Sequence, residues 1–180
     1  MRIIAGKYGG RRLTSFKADH IRPTTDRVKE SLFNKLQGGL EEAHVLDLFA
    51  GTGNLSFEAL SRGAIHVDAV EMSKASVAII NKNKKILGIG HEMTVHLQDV
   101  LKYLKNCHQK YDIIFIDPPF TKKMAHLVLE ALAQSDVFLP HSEVFIESST
   151  QESVMESYPP LQQKSHKAFG DKYLSHYVLG

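Results

Sequence analysis

A single cysteine in 180 residues, Cys107, excludes an intrachain disulfide, and the simplest home for such a chain is the reducing cytosol, so a cytoplasmic protein is expected. Cys107 follows Leu104 and Lys105 near the end of a predicted helix and reads as an inert thiol. No apolar stretch approaches the roughly 18 residues that a membrane span requires, and no signal-peptide core opens the chain, so no membrane partner is expected. Ten histidines are present, yet none stands in an H-x-x-x-H or Cys/His pattern with ligand spacing, and no metal is expected. Repeats, low-complexity tracts and inter-domain linkers are also missing. A chain of this length folds as one domain, burying roughly 70% of its unfolded surface, and a monomer is the default.

The net charge of +2 is small but unevenly spread. Residues 1–40 carry nine Lys/Arg against three Asp/Glu, while residues 41–180 carry thirteen against seventeen. A basic arm on a mildly acidic body suits a protein that grips a phosphate backbone. Arg2, Lys7, Arg11, Arg12 and Lys17 are the candidate phosphate contacts, with Tyr8, Phe16 and paired glycines among them.

Residues 3–16 read as a short basic hairpin or arm turning at Gly9-Gly10. A helix capped by Thr24 or Thr25 follows, with Val28, Leu32, Phe33 and Leu36 on one face and Gly38-Gly39 at its end. From Val45 onward strands alternate with helices, the pattern of a parallel sheet covered on both faces. Strands are expected to end near Phe49, Val70, Leu97, Ile116 and Ile146, with helices centred near Leu60, Ile79, Leu101 and Leu129. Residues 164–179 look like two strands joined at Gly170-Asp171. The arm and its helix, residues 1–40, are read as part of the same domain as residues 41–180.

Two stretches carry the chemistry. In the first, the apolar run Tyr111-Asp112-Ile113-Ile114-Phe115-Ile116 leads into Asp117-Pro118-Pro119-Phe120. Two prolines end the strand and offer no N–H, so the turn presents carbonyls, one carboxylate and an aromatic ring. Acceptors without donors suit a planar amino group, and a ring suits the face of a base. The structural alternative is a proline-rich strand exit with Phe120 packed in the core.

In the second, Val45-Leu46-Asp47-Leu48-Phe49 runs into Ala50-Gly51-Thr52-Gly53, and a helix follows. Gly51 and Gly53 permit a sharp turn whose backbone approaches a ligand closely. Glu71, 20 positions after Gly51, is spaced to accept from both hydroxyls of a ribose. Ser56 replaces the third glycine of a dinucleotide fingerprint, and Asp47 would repel a pyrophosphate but hold an ammonium group. A cationic amino-acid nucleoside fits better than NAD.

These motifs, with Asp99 and the segment Ile21-Arg22-Pro23-Thr24-Thr25-Asp26-Arg27-Val28-Lys29-Glu30-Ser31-Leu32-Phe33-Asn34, resemble the RsmD family of small-subunit (16S) ribosomal RNA guanine-N2 methyltransferases. The resemblance runs from Arg2 to about Ser149. It implies a class I methyltransferase fold: α/β, Rossmann-like, a mostly parallel seven-stranded sheet with a reversed last strand. It implies S-adenosylmethionine as cofactor and small-subunit rRNA, in a protein-loaded particle, as partner. Gly51, Gly53 and Asp47 would then meet the methionine part, and Arg22, Thr24 and Arg27 would reach over the cofactor. Glu71 would hold the ribose, Met72 the adenine face, and Asp99 with the Val100 N–H the adenine edge. Asp117, Pro118, Pro119 and Phe120 would hold and stack the target base. Each carboxylate also has a structural alternative: Asp99 as a helix cap, Asp47 as a buried turn-former, Glu71 as a helix N-terminal charge.

Two other functions compete. An amino-methyltransferase acting on DNA adenine N6 or a protein glutamine would use a similar turn, although 180 residues leave no room for a separate DNA-recognition domain. A non-catalytic RNA-binding or ribosome assembly factor would need neither Asp117 nor Glu71.

Overall fold

The computed structural model describes residues 1–16, 26–36, 38–120, 124–152 and 154–180. In chain order these form α1 (Asp26–Lys35), β1 (His44–Leu48), α2 (Asn54–Ser61), β2 (His66–Glu71), α3 (Lys74–Leu87), β3 (Met93–Leu97) and α4 (Val100–Asn106). There follow β4 (Tyr111–Ile116), α5 (Met124–Ala133), β5 (Phe138–Ser149), β6 (Ser157–Tyr158), β7 (Leu161–Phe169) and β8 (Lys172–Leu179). All strands join one sheet in the order β3-β2-β1-β4-β5-β8-β7-β6. The first five run parallel, and β8 enters antiparallel between β5 and β7.

The sheet has eight strands, not the expected seven. The addition is β6, two residues paired to the edge of β7, too short to leave a periodic signal in sequence. The central strands β1 and β4 are buried on both faces, as apolar parallel strands are when helices cover each side. One face packs the arm, α1, α2 and α3 around Val45, Phe115 and Phe145; the other packs α4 and α5 around Leu46, Ile114 and Ile146. On that second face a buried chain of polar groups anchors α4: Tyr103 meets Tyr111, which donates to Asp68 at 3.0 Å, and Asp68 also takes His96 at 2.6 Å.

The basic arm is docked, not loose. Ile3, Tyr8 and Leu13 are in the core, so the Tyr8 ring cannot stack on a base. A bridge between Arg2 and Arg12 closes the loop. Glu58 on α2 holds the arm: one carboxylate oxygen accepts from Ile4 N–H (2.8 Å) and Lys29 Nζ (3.1 Å), the other from Ala5 N–H (3.1 Å) and Arg62 Nε (2.7 Å). Lys29, itself 1% exposed, donates further to the Arg2 carbonyl and to Asn54 Oδ1. Gly6, at φ 79°, lies so close to α2 that an added Cβ would sit 1.8 Å from the Ser61 carbonyl oxygen.

Glu58→Ala strips the counter-charge from a buried ammonium and the acceptor from two backbone amides. It should lower unfolding free energy by about 3–5 kcal/mol. Denaturant titration of the variant against the wild type measures this, and a loss below about 1 kcal/mol would show that the arm does not depend on the pair.

Candidate active site

Strand order reverses between β1 and β4: the chain builds outward from β1 to β2 and β3, then crosses to the other side with β4 and β5. Ligands of open α/β sheets bind beyond the carboxyl ends of strands at such a reversal. Both motifs lie there, one after β1 and the other after β4, with Leu48 and Ile116 in register.

The turn after β1 is strained. Phe49 (φ 65°), Gly51 (φ 55°) and Gly53 (φ 86°) all adopt left-handed backbone. For a phenylalanine this costs on the order of 1–3 kcal/mol and persists only where the surroundings enforce it. Gly53 serves as the N-cap of α2, and a Cβ there would lie 2.6 Å from the Phe57 ring. Gly53 is thus covered by the Phe57 ring, whereas Gly51 has open space where a side chain would stand, so the backbone at Gly51 is open to close approach by a ligand.

Asp47 lies beneath this turn and is 1% exposed. Its carboxylate accepts from the Ser56 N–H at 3.0 Å and from the Ser56 hydroxyl. Ser56, the residue that departs from the dinucleotide pattern, thus joins the turn to β1. Burial pushes the Asp47 carboxyl up to about 7, opposed by the two Ser56 hydrogen bonds and assisted by the charge of Glu71. Glu71, at the end of β2, accepts from Gly51 N–H at 2.9 Å and Ser73 N–H at 2.7 Å. It therefore faces the glycine turn directly. Asp99 caps α4 by accepting from Lys102 N–H at 3.0 Å, and Val100 is the first residue of that helix. Met72 and Leu101 are exposed beside these two carboxylates. The set fits a nucleoside bearing an amino acid: an open backbone, an acceptor at the end of β2, apolar side chains to flank a planar ring, and an acceptor at the start of α4.

The second turn begins with Asp117, whose N–H bonds the Leu48 carbonyl at 3.3 Å and extends the pairing of β4 with β1. Pro118 is buried and Pro119 exposed. Phe120 is 42% exposed, so it is not a core residue. The Lys172 ammonium lies 5.0 Å from the Phe120 ring centroid.

Lys17, Arg22 and Thr24 lie outside the described residues. Arg27 is exposed on α1, where it lines a groove of about 450 Å³ with Glu30, Ser31, Asn34, Lys35 and Lys167. Arg2, Lys7, Arg11 and Arg12 are all exposed. Lys7 sits at the far end of α2, its N–H on the Ser61 carbonyl, whereas Met1 Sδ accepts from Thr52 in the glycine turn. The arm thus spans the length of α2, about 12 Å. Lys29, Glu58, Glu147 and Lys172 are buried charges that the motifs did not single out; Glu58 and Glu147 each stand beside apolar residues, a local mismatch that marks them, whereas Lys29 and Lys172 lie among polar neighbours and carry no such mark. Among the described residues no group of three or more His, Cys, Asp or Glu is placed to hold a metal, and no helix is long and apolar enough to cross a membrane.

The raised Asp47 value has a consequence for stability. Between the ordinary carboxyl value of 3.8 and about 7, the folded chain keeps a proton that the unfolded chain has released, so stability falls as pH rises through that window. Asp47→Asn cannot titrate and should lack this contribution. Denaturant titrations of both proteins at several pH values should give a wild-type-minus-variant difference that declines across the window. A difference independent of pH would show that Asp47 ionises alike in both states.

A family model described as conserved hypothetical protein 95 matches residues 1–178. Ribosomal RNA small subunit methyltransferase D of Haemophilus influenzae is 35% identical over 170 residues, covering 92% of this chain and 88% of its own. Its namesake in Escherichia coli K12 is 34% identical over 151 residues, covering 84% and 76%. The solved structure of Escherichia coli yhhF superposes with a TM-score of 0.90 at 31% identity, covering 99% of this chain and 97% of that one. SMU.776, a structure solved with SAH, shares the fold at 19% identity and a TM-score of 0.65, covering 84% of this chain and 48% of that one. The fold is that of class I methyltransferases. With the match spanning almost every residue, the chain belongs to the family described as conserved hypothetical protein 95, the RsmD family of methyltransferases.

Proposed function

We propose that this enzyme methylates the exocyclic N2 of a guanine in small-subunit (16S) ribosomal RNA, within a protein-loaded particle in the cytoplasm, acting as a single-domain monomer. The observation that carries the reading is the Asp117-Pro118-Pro119-Phe120 turn, set across the strand-order reversal from the strained glycine turn, with an exposed ring at its tip. The names of the relatives supply the RNA class.

When bound, S-adenosylmethionine supplies a methyl group already activated on a sulfonium, so the protein's share is binding, alignment and electrostatics. Gly51, Gly53 and Asp47 receive the methionine part, with Arg22, Thr24 and Arg27 reaching over it. Glu71 takes the ribose hydroxyls, Met72 the adenine face, and Asp99 with the Val100 N–H the adenine edge. A guanine N2 lone pair is delocalised into the ring and is a poor nucleophile. Asp117 and the Pro118 carbonyl accept from its two N–H groups and favour the tetrahedral form; Pro119 keeps this turn extended. The proton displaced by methylation leaves through Asp117. Phe120 stacks on the base once it is swung out of its helix or loop, a contact worth about 1–3 kcal/mol.

Asp117→Ala should leave S-adenosylmethionine affinity near normal in calorimetry while lowering turnover roughly 10²–10³-fold. Nucleoside mass spectrometry of rRNA from cells with and without the gene should show N2-methylguanosine only where the active enzyme is present. N6-methyladenine as the product, or a fully active Asp117→Ala enzyme, would overturn the reading.

Arg2, Lys7, Arg11, Arg12 and Lys17 are proposed to meet phosphates, with Lys35 and Lys167 as a second basic flank. Neutralising Lys7, Arg11 and Arg12 should weaken binding to small subunits and flatten the slope of log K against log salt by about 0.7–0.9 for each phosphate that is no longer neutralised. Filter binding at several salt concentrations measures this; an unchanged slope would leave the arm a merely structural element.

A further inference from the structure

A second carboxylate stands beside Asp117. Ile116, the last residue of β4, is in register with Ile146 of β5, so Asp117 leaves the end of β4 beside Glu147, on backbones about 4.8 Å apart. Phe115 and Phe145 belong to the same core cluster, and side chains alternate along a strand, so Asp117 and Glu147 share that face. Glu147 is 1% exposed. One of its oxygens takes Lys172 Nζ at 3.0 Å; the other is buried and has no hydrogen-bond partner among the described residues. Buried carboxylate oxygens are normally satisfied, and an orphan one calls for an explanation. Lys172 links the pair to the target turn through its 5.0 Å contact with the Phe120 ring.

We infer that Glu147 is the base-selecting residue of this site, its unpaired oxygen accepting the N1–H of the target guanine, with Lys172 holding the carboxylate and the Phe120 ring in place. The inference rests on the guanine-N2 reading above. Guanine offers two adjacent donors, N1–H and the N2 amine, and Asp117 and Glu147 offer two adjacent acceptors. Adenine presents a bare N1 acceptor there, which a carboxylate repels. The unpaired oxygen is shielded from water.

The test uses the full-length enzyme and small subunits carrying guanine or 2-aminopurine at the modified position, once mass spectrometry has located it. 2-Aminopurine keeps the amine but lacks the N1–H. The wild type should methylate it with kcat/KM roughly 10- to 100-fold lower than guanine. In Glu147→Gln the single carbonyl faces Lys172 and turns the amide N–H toward the base. Activity on guanine should fall to the level of 2-aminopurine, with S-adenosylmethionine affinity unchanged in calorimetry. The double variant Glu147→Leu with Lys172→Met replaces the pair by apolar groups, which preserves folding, and should also lose the preference. Either variant, folded and binding cofactor, with wild-type preference for guanine would overturn the inference. So would a wild type that treats both bases alike while still forming N2-methylguanosine, an outcome that leaves the proposed reaction standing. A wild type forming no N2-methylguanosine would instead remove that reaction, and the inference with it.

Discussion

The Glu58 carboxylate is the constraint on which the joining of the arm, α1 and α2 depends. A carboxylate can accept about four hydrogen bonds, and Glu58 has four donors from three parts of the chain: two arm amides, Lys29 of α1 and Arg62 beside α2. The Lys29 ammonium likewise uses all three of its donors, on Glu58, Arg2 and Asn54. A buried pair of this kind adds little net stability over apolar packing, but it penalises every arrangement that leaves a charge unpaired. Asn54 is the first residue of α2, directly after the glycine turn, so the same network that docks the arm also fixes where that turn ends.

Strain at that turn is held from below. Phe49 occupies backbone space normally left to glycine, and β1, buried on both faces between β2 and β4, holds it there. Asp47 completes the support by binding Ser56 two residues into α2. The glycine turn therefore keeps one shape before any ligand arrives. Glu71, accepting from Gly51 N–H, ties the end of β2 to the same loop.

Much of this site was legible in the chain because its signals are short-range. Asp-Pro-Pro-Phe after an apolar run and Gly-Thr-Gly after another declare strand ends and turns by local backbone chemistry, and Phe120 is indeed exposed. Asp99 shows the limit of such reading, since its position suits a helix cap and a ligand contact equally, and the cap is formed. Tyr8 shows another limit: an aromatic among basic residues suggests a nucleic-acid surface, yet the residue is buried in the core and its ring is faced by Lys7 and Arg11.

The sequence by itself determined the alternation of strands and helices, the place of both functional turns and the charge of the arm, because each follows from periodicity or residue type within a few positions. Only the tertiary structure decided that Glu58 meets Lys29 and the arm amides, that β6 extends the sheet to eight strands, and that Glu147 stands beside Asp117 with Lys172 behind it. Apart from the short β6, those pairings join residues 25 to 54 positions apart. They depend on strand register and on desolvation, which makes an unpaired buried charge too costly to leave, and neither has a signature in local sequence.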